Sequence, residues 1–268
     1  MTKPLDSEAL LAILDEHRLV DRFEFAPILD LATGEEVQAG IVAARIARGE
    51  RQIGYKIGFT NRTIWPLYGV YEPIWGPIYD TTVTLLDGIE ARLDPTRFIL
   101  PRLEPEIVFR VHAAPASAEL VDVAAALDWA AHGFEIVQSP FADWRFTAAE
   151  SFAAQSLHGA LLVGPRVPIG QLADSPEQLV GLLSRFSIEL SEGGEVVASG
   201  RGSDVLDSPL HALAHLVRQL GSRGLALSPG DIITTGALTD AQPLDSGQQW
   251  HTRLEGLGLA GLTLKVGS

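Results

Sequence analysis

The amino-acid sequence predicts an α+β fold with its helices gathered toward the N-terminus. In the second half of the chain, runs typical of strands outnumber runs typical of helices, and the two kinds do not alternate as they would in a doubly wound sheet. The chain has 268 residues, of which 46% are hydrophobic and 20% charged. These values are typical of a globular protein that buries a large core, at the upper end of the size of one domain.

The composition excludes several classes of function. There is no cysteine, which rules out disulfides, a thiolate nucleophile and a cysteine–zinc site. The formal net charge of −14 argues against nucleic acid as a partner, because phosphate binding requires a basic surface. The N-terminus lacks the basic-then-apolar order of a signal peptide, and no apolar run is long enough to span a membrane. We therefore expect a cytoplasmic protein without a membrane partner.

Two amphipathic helices and one strand are predicted in the first sixty residues. The first helix has Ser7 as its N-cap and extends to about residue 19, and the second covers residues 35–48. The strand, residues 52–59, carries Lys56 between two apolar neighbours. Lys56 is interpreted either as an edge-strand lysine with its tip in water or as a cation directed at a substrate carboxylate.

Residues 61–79 hold Trp65, Tyr68, Tyr71 and Trp75 among glycines and prolines. The glycines and prolines are typical of a loop, whereas the aromatic side chains indicate that the segment packs against something. We predict either a lid over an active site or a contact between two copies of the chain, and the sequence leaves both open.

Two acidic residues, Glu104 and Glu106, lie in a segment with the features of a strand, residues 102–109. Side chains two apart in a strand point to the same face, so these carboxylates repel unless a cation separates them or one keeps its proton. A second apolar run, residues 133–138, holds one acid, Glu135, whose isolated charge would be costly to bury. We interpret the three as ligands of a hard cation, Mg²⁺ or Mn²⁺. Alternatively, Glu104 and Glu106 face solvent and Glu135 ends a helix.

The remaining chain is predicted to hold further helices and short strands. The helices cover residues 117–132, 147–157, 175–185 and 208–220, and the strands include a hairpin at Gly193-Gly194 and the runs 232–235, 250–254 and 262–266. Thr147 and Glu150 have the spacing of a capping box, so Glu150 is interpreted as a helix cap rather than a catalytic acid. His211 and His215 share a helix face, as metal ligands do, but equally fit a solvated surface.

Several short segments occur in a characteristic order. They are GYKIG (54–58), GV (69–70), Gly76, PRLEPE (101–106), FEIVQS (134–139), DW (143–144), GALLVG (159–164), GDIITTGAL (230–238) and the stretch 257–266. In this order and spacing they resemble the 2-hydroxypenta-2,4-dienoate (2-oxopent-4-enoate) hydratases and 4-oxalocrotonate decarboxylases of the fumarylacetoacetate hydrolase superfamily. The resemblance covers most of the chain, from about residue 37 to residue 266.

The resemblance implies a mixed β-roll of the fumarylacetoacetate hydrolase C-terminal type. Residues 1–75 would form an N-terminal helical part with the lid-like loop, and residues 76–268 a β-rich, metal-binding catalytic core. The family's metal carboxylates fall on Glu104, Glu106 and Glu135, with Mg²⁺ or Mn²⁺ as cofactor, and its active-site lysine falls on Lys56. We also expect Thr235 to donate a hydrogen bond to the substrate, and Arg102 to lie at the surface.

The implied activity is a metal-dependent hydratase that adds water to a 2-hydroxypenta-2,4-dienoate-type acid and gives a 4-hydroxy-2-oxo acid, as in aromatic meta-cleavage catabolism. The alternatives are a 4-oxalocrotonate-type decarboxylase, another member of the superfamily such as a C–C hydrolase, or a metal-binding relative without turnover. Residues 59–79 contain no histidine for the Glu–His dyad of the hydrolases. A homo-oligomer is expected, together with contact with a partner enzyme of its pathway.

One segment departs from the resemblance. The chain has Ala153-Ala154-Gln155 where family members commonly have Ala-Asp-Asn, and His158 directly precedes Gly159. An acid–amide pair close to the site is therefore altered, which bears on the exact substrate and on part of the proton relay.

Overall fold

The computed structural model of the protein describes residues 3–21, 24–68 and 70–267 and confirms the α+β fold. Gly69, part of the family resemblance and of the predicted lid-like segment, lies outside the described residues. The helices are α1 (Ser7–Asp15), α2 (Leu31–Ala47), α3 (Trp65–Tyr68), α4 (Leu120–Ala125), α5 (Ala148–Ala153), α6 (Ile169–Leu172), α7 (Pro176–Arg185) and α8 (Pro209–Ser222). Within the described ranges, every helix is too short or too polar to cross a membrane.

The strands form a large central sheet, a second sheet and a short parallel pair. The central sheet contains β3 (Gln52–Gly58), β4 (Ile74–Tyr79), β5 (Val83–Leu85), β7 (Arg102–Val111), β8 (Leu127–Val137), β9 (His158–Val163), β10 (Val167–Pro168), β13 (Ile232–Ala237) and β14 (Gln242–Pro243). The second sheet contains β6 (Glu90–Leu93), β11 (Ser187–Glu192), β12 (Glu195–Arg201), β15 (Gln249–Glu255) and β16 (Thr263–Val266), and the pair is β1 (Lys3–Pro4) with β2 (Phe25–Ala26).

The central sheet is curled, so one of its faces is enclosed. Its strand order is β4-β3-β13-β7-β8-β9-β5. Ile78 of β4, Val108 of β7 and Leu161 of β9 meet in one buried cluster, although β4 and β9 lie far apart in that order. Such strands share a cluster only if the sheet bends round on itself. The opposite face, which includes Ile107 and Ile233, packs against α4, α7 and α8. This is the predicted β-roll.

Helices α1, α2 and α5 form a separate apolar cluster beside the roll, with Leu10, Ile41 and Ala153 in its centre. The first two helices begin earlier than predicted, because aspartates cap them. The side chain of Asp6 accepts the N–H of Ala9, so Asp6 and not Ser7 is the N-cap of α1. The N-cap of α2 is Asp30. An aspartate side chain satisfies an exposed N–H of the first turn as well as serine does.

The predicted capping box is present, since Thr147 accepts from the N–H of Glu150 and Glu150 accepts from the N–H of Thr147. The hairpin β11–β12 turns at Gly193 and Gly194, as expected. Both features depend only on residues close in sequence.

The prediction of one helix over residues 117–132 is wrong. Helix α4 ends at Ala125, and β8 begins at Leu127 and continues to Val137. The alanine-rich run 124–132 favours a helix by intrinsic propensity, but β7 offers an antiparallel partner along the whole of β8. His132 and Glu135 therefore lie on the same strand.

The division of the chain at residue 75 stays a prediction. Strand β3, which lies on the N-terminal side of that division, pairs with β4 on one side and with β13 on the other. The strand that carries Lys56 is therefore an inner strand of the central sheet.

Candidate metal centre

Three glutamates converge on one face of the central sheet. The antiparallel pairing of β7 and β8 places Glu104 directly opposite Glu135, and Glu106 lies two residues further along the same face. One carboxylate oxygen of each lies within 4.8 Å of the others. Glu106 and Glu135 are fully buried, so the alternative in which these residues face solvent or end a helix does not describe the fold.

Strand β13 holds Glu106. Its Oε2 accepts hydrogen bonds from the hydroxyl of Thr234 and, at 2.7 Å, from the N–H of Gly236. Gly236 has a φ of +104°, which favours glycine, and a Cβ there would collide with Thr60. Oε1 has no hydrogen-bond partner among the residues that the structure describes. Burial and the charge of Glu135 raise the pKa of Glu106 well above its ordinary value, which favours the neutral form of its carboxyl.

Lys56 lies among the three carboxylates. Because β3 is an inner strand and the side chain is only 4% exposed, the structure excludes an edge-strand lysine with its tip in water. Its Nζ lies 3.2 Å from Oε2 of Glu135. Burial by itself would lower the pKa of Lys56, but the charges of Glu135, Glu104 and Glu106 outweigh burial and raise it. Lys56 is therefore a fixed cation.

Glu135 is bound from two sides. Lys56 contacts Oε2, and Nδ1 of His158 lies 2.9 Å from Oε1. The other ring nitrogen, Nε2, lies 2.9 Å from the hydroxyl oxygen of Thr82. Burial by itself would raise the pKa of Glu135, but Lys56 and His158 outweigh it and hold the pKa below its ordinary value, so Glu135 is ionised. Burial lowers the pKa of His158 despite this carboxylate, so the ring is neutral.

Glu104 and Lys56 line a cavity of about 270 Å³. Burial raises the pKa of Glu104 to about 7, although the charge of Lys56 opposes the rise. The apolar side chains on the cavity wall are Ile57, Phe59, Ile74, Val137, Trp144, Phe146, Leu157, Ala237 and Ala241. The polar ones, besides the two named first, are Thr60, Asn61, Arg102, Ser156, Thr239 and Asp240. The cavity therefore joins the carboxylate cluster to a mainly apolar wall.

Arg102 was expected at the surface, but its side chain lines this cavity. Its guanidinium carbon is 4.2 Å from the centroid of the Trp144 ring. No ion pair joins it to a carboxylate within the described part of the chain. Arg102 thus presents a positive charge to the cavity, and this charge, like that of Lys56, opposes the rise in the pKa of Glu104.

A strained turn forms another wall of the cavity. Gln155, Ser156 and Leu157 have φ values of 58°, 51° and 64°, a region that residues other than glycine rarely adopt. The hydroxyl of Ser156 is buried without a hydrogen-bond partner among the described residues. Gln155, which with Ala154 departs from the family, accepts a hydrogen bond from the hydroxyl of Tyr79 at 2.6 Å and does not line this cavity. The altered residue supports the turn.

Thr235 does not reach the cavity, and its hydroxyl donates to the backbone carbonyl of Ile107 at 2.9 Å. The neighbouring Thr234 contacts Glu106 instead and pairs with Lys56 in the β3–β13 ladder. Thr234 and His158 were not predicted as site residues. His158 has a signal in its position directly before Gly159, in the segment that departs from the family.

The pair His211 and His215 does not belong to this centre. Nδ1 of His211 lies 2.9 Å from the hydroxyl of Ser208, the N-cap of α8. Among the described residues, one group of three or more acidic or histidine side chains lies close enough to hold one metal ion, and this group is the three glutamates.

Comparison with known proteins places this geometry in context. The 2-hydroxyhexa-2,4-dienoate hydratase of Comamonas testosteroni is 29% identical over 234 residues, which cover 87% of this chain and 85% of that protein. A 4-oxalocrotonate decarboxylase of a Pseudomonas species is 30% identical over 224 residues, or 83% of this chain and 82% of that one. The structure of 4-oxalocrotonate decarboxylase from Pseudomonas putida G7, complexed with magnesium and adipate, has a TM-score of 0.82 and 25% identity, covering 99% of this chain and 100% of that one.

The sequence model of the fumarylacetoacetate (FAA) hydrolase C-terminal family matches residues 100–264, which is more than half of the chain. The matched range contains strands β7, β8 and β13, and with them Glu104, Glu106 and Glu135. The curled central sheet, the carboxylate cluster and these similarities agree, and the chain belongs to the fumarylacetoacetate hydrolase family.

Proposed function

We propose that this protein is a divalent-metal-dependent hydro-lyase that adds water to 2-hydroxypenta-2,4-dienoate-type acids and yields 4-hydroxy-2-oxo acids. The observation that carries the proposal is a cluster of three carboxylates in which Oε1 of Glu106 is buried without a hydrogen bond to any described residue, while Oε2 of Glu135 faces the ammonium group of Lys56 at 3.2 Å. Buried polar atoms are almost always paired, so an unpaired oxygen among three converging carboxylates indicates a site for a cation. The hydratases among the relatives support the reaction class.

Glu104, Glu106 and Glu135 would hold the cation. Three carboxylates and no nitrogen or sulfur donor suit a hard ion, and we propose Mg²⁺ or Mn²⁺. The decarboxylase that resembles 99% of this chain is complexed with magnesium and adipate. When bound, the cation withdraws electron density from a chelated 2-oxo acid and favours its enolate form.

The chain's own residues bind and orient the substrate. Lys56 supplies a fixed positive charge beside the carboxylates, where it pairs with the substrate carboxylate or transfers a proton. The hydroxyl of Ser156 is a hydrogen-bond donor without a partner in the described structure, on a residue of the cavity wall. The apolar wall, with Ile74 and Val137, packs against the carbon chain of the substrate and excludes bulk water.

A decarboxylase that acts on 4-oxalocrotonate-type dicarboxylates is the second candidate, and Arg102 favours it. A dicarboxylate brings a second negative charge into the cavity, and Arg102 lies there without a salt bridge to any acid among the described residues. A guanidinium is well suited to bind a carboxylate through two parallel hydrogen bonds. The same metal chelation would stabilise the enolate that remains when CO₂ leaves.

Assays with both substrates test the proposal. We expect freshly generated 2-hydroxypenta-2,4-dienoate to lose its dienol absorbance in the presence of Mg²⁺ or Mn²⁺, while a 4-hydroxy-2-oxo acid appears. A decarboxylase would instead release CO₂ from 4-oxalocrotonate and accumulate the dienol. Conversion of neither substrate, with Mn²⁺ bound to the protein, would contradict both candidates and support a relative without this turnover. A homo-oligomeric state, a cytoplasmic location and contact with a pathway enzyme stay predictions.

A further inference from the structure

We propose that His158 is a positioning residue of the metal centre, which donates its Nδ1–H to Oε1 of Glu135 and so would leave Oε2 available to a cation. The inference rests on the metal site proposed above. It assigns a role to a side chain outside the three carboxylates and Lys56, on the segment where this chain departs from its family.

The hydrogen bonds define how the ring is held. Oε1 of Glu135 accepts, so the nitrogen 2.9 Å away, Nδ1 of His158, carries the hydrogen. Nε2 is then the acceptor and receives the hydroxyl hydrogen of Thr82 across 2.9 Å, in place of the carbonyl oxygen of Tyr79, which lies 3.1 Å from the same hydroxyl. The oxygen of Thr82 accepts the N–H of Tyr79 at 3.1 Å, which anchors the chain of hydrogen bonds to the backbone of β4. Both ring nitrogens are thus engaged, and the ring has one orientation.

The backbone around His158 is built to direct the ring at Glu135. The strained turn formed by Gln155, Ser156 and Leu157 ends at His158, the first residue of β9. The register between β8 and β9 shifts at this point, so that His158 opposes Val137 while Ala160 opposes Ile136. Such an irregularity commonly turns a side chain toward a functional site. A Cβ at Gly159 would lie 2.8 Å from the carbonyl oxygen of Ile136, so this close approach requires glycine.

The division of the Glu135 carboxylate between two partners explains why the ring matters to a cation. Oε1 is taken by His158, while Oε2, 3.2 Å from Nζ of Lys56, has no hydrogen bond within the described structure. Without the ring, the carboxylate is free to rotate and to present both oxygens to the ammonium group of Lys56. Partners that orient a ligand in this way typically contribute about 10- to 100-fold to metal affinity.

The proposal is tested without reference to turnover by titrating the protein with Mn²⁺ alone. The electron paramagnetic resonance signal of the free ion measures how much Mn²⁺ stays unbound. We expect His158→Leu, which keeps the bulk but removes the donor, to weaken Mn²⁺ binding about 10- to 100-fold. The conservative variant His158→Asn places an amide N–H close to the position of Nδ1, and we expect it to restore most of the affinity. Wild-type affinity in His158→Leu would overturn the proposal, and so would an equal loss in both variants, because the donor would then be irrelevant.

Two further variants keep the test decisive. Thr82→Val removes the hydroxyl that fixes Nε2 while leaving His158 in place, so it should weaken Mn²⁺ binding less than His158→Leu does. It decides the matter if circular dichroism shows that His158→Leu does not fold, since unchanged affinity in Thr82→Val would then overturn the proposal. Glu106→Gln is the reference for the site itself. Wild-type Mn²⁺ binding in that variant would refute the proposed metal site, a result distinct from any failure at His158.

Discussion

Glu106 and Glu135 lie on neighbouring strands, are both fully buried and belong to one cluster, yet their surroundings are opposite in character. Glu106 is held by a hydroxyl and a backbone N–H, and burial with the charge of Glu135 raises its pKa well above the ordinary value. Glu135 is held by a lysine and a histidine, whose effect exceeds that of burial and lowers its pKa. A buried histidine is present in each half, but Nδ1 of His132 binds the backbone carbonyl of Glu106 and not its carboxylate.

The difference shows that the protonation state of a buried carboxyl follows from its neighbours and not from its residue type. The lowered pKa of Glu135 favours its negative form before any cation arrives, whereas the raised pKa of Glu106 favours its neutral form. Metal binding should therefore release protons, chiefly from the Glu106 half of the site.

The largest expected effect comes from replacing each glutamate by glutamine. The raised pKa of Glu106 favours a neutral carboxyl, and Glu106→Gln replaces it by a neutral amide of the same shape. We therefore expect the unfolding free energy of the metal-free protein to change little while Mg²⁺- or Mn²⁺-dependent turnover is abolished. Glu135→Gln leaves the buried ammonium of Lys56 without its nearest counter-charge. We expect this second variant to lose about 3 kcal/mol or more of stability. Urea unfolding without metal and steady-state turnover with Mn²⁺ measure the two quantities.

The stability prediction and the turnover prediction can each be contradicted separately. An equal loss of stability in the two metal-free variants would contradict the assigned difference in protonation. Undiminished Mn²⁺-dependent turnover in Glu106→Gln would remove Glu106 from the set of ligands.

A second prediction concerns the loss of stability in acid that is caused by His132, the buried histidine beside Glu106. Burial lowers the pKa of His132 from 6.5 to about 4. The unfolded chain therefore binds the proton first, so the contribution of neutral His132 to stability is complete above pH 6.5 and is lost as the pH falls toward 4. The loss amounts to about 3 kcal/mol. Urea unfolding at neutral pH and near pH 4 should show a larger drop in the wild type than in His132→Gln, whereas equal drops would contradict a neutral buried ring.

The part of the site that could be predicted from the sequence is the part that one strand carries. Glu104 and Glu106 share a face because strand side chains alternate, and this holds without knowledge of the partner strands. The capping box of Thr147 and Glu150 is local in the same way. The convergence of Glu135 with Glu104 and Glu106 depends on the pairing of β7 with β8. It was anticipated because Glu135 is an acid in an apolar run and because of the family resemblance.

What the sequence did not predict depends on register and on long-range pairing. The sequence gives no sign of which of two adjacent threonines faces the site, because the irregularity between Thr234 and Ala237 in the β13–β7 pairing changes the alternation. His158 is 23 residues from Glu135 and reaches it only through a strained turn and a register shift. The strand that begins at Leu127 replaces a helix favoured by its alanines, because pairing with β7 outweighs local propensity.

The last prediction concerns Lys56, whose ammonium group lies among the three carboxylates. Lys56→Met keeps the length and much of the volume of the side chain but removes its charge, so packing in the sheet should change little. Without the ammonium group, burial raises the pKa of Glu135, which then comes to resemble Glu106. The substrate also loses a positive charge close to its carboxylate. We expect turnover of the substrate to slow more than tenfold, which corresponds to about 1.4 kcal/mol or more of activation free energy.

Stopped-flow turnover of the wild type and the variant at saturating Mn²⁺ measures the change. Wild-type turnover in Lys56→Met would mean that the ammonium group only balances the buried carboxylates and takes no part in the reaction.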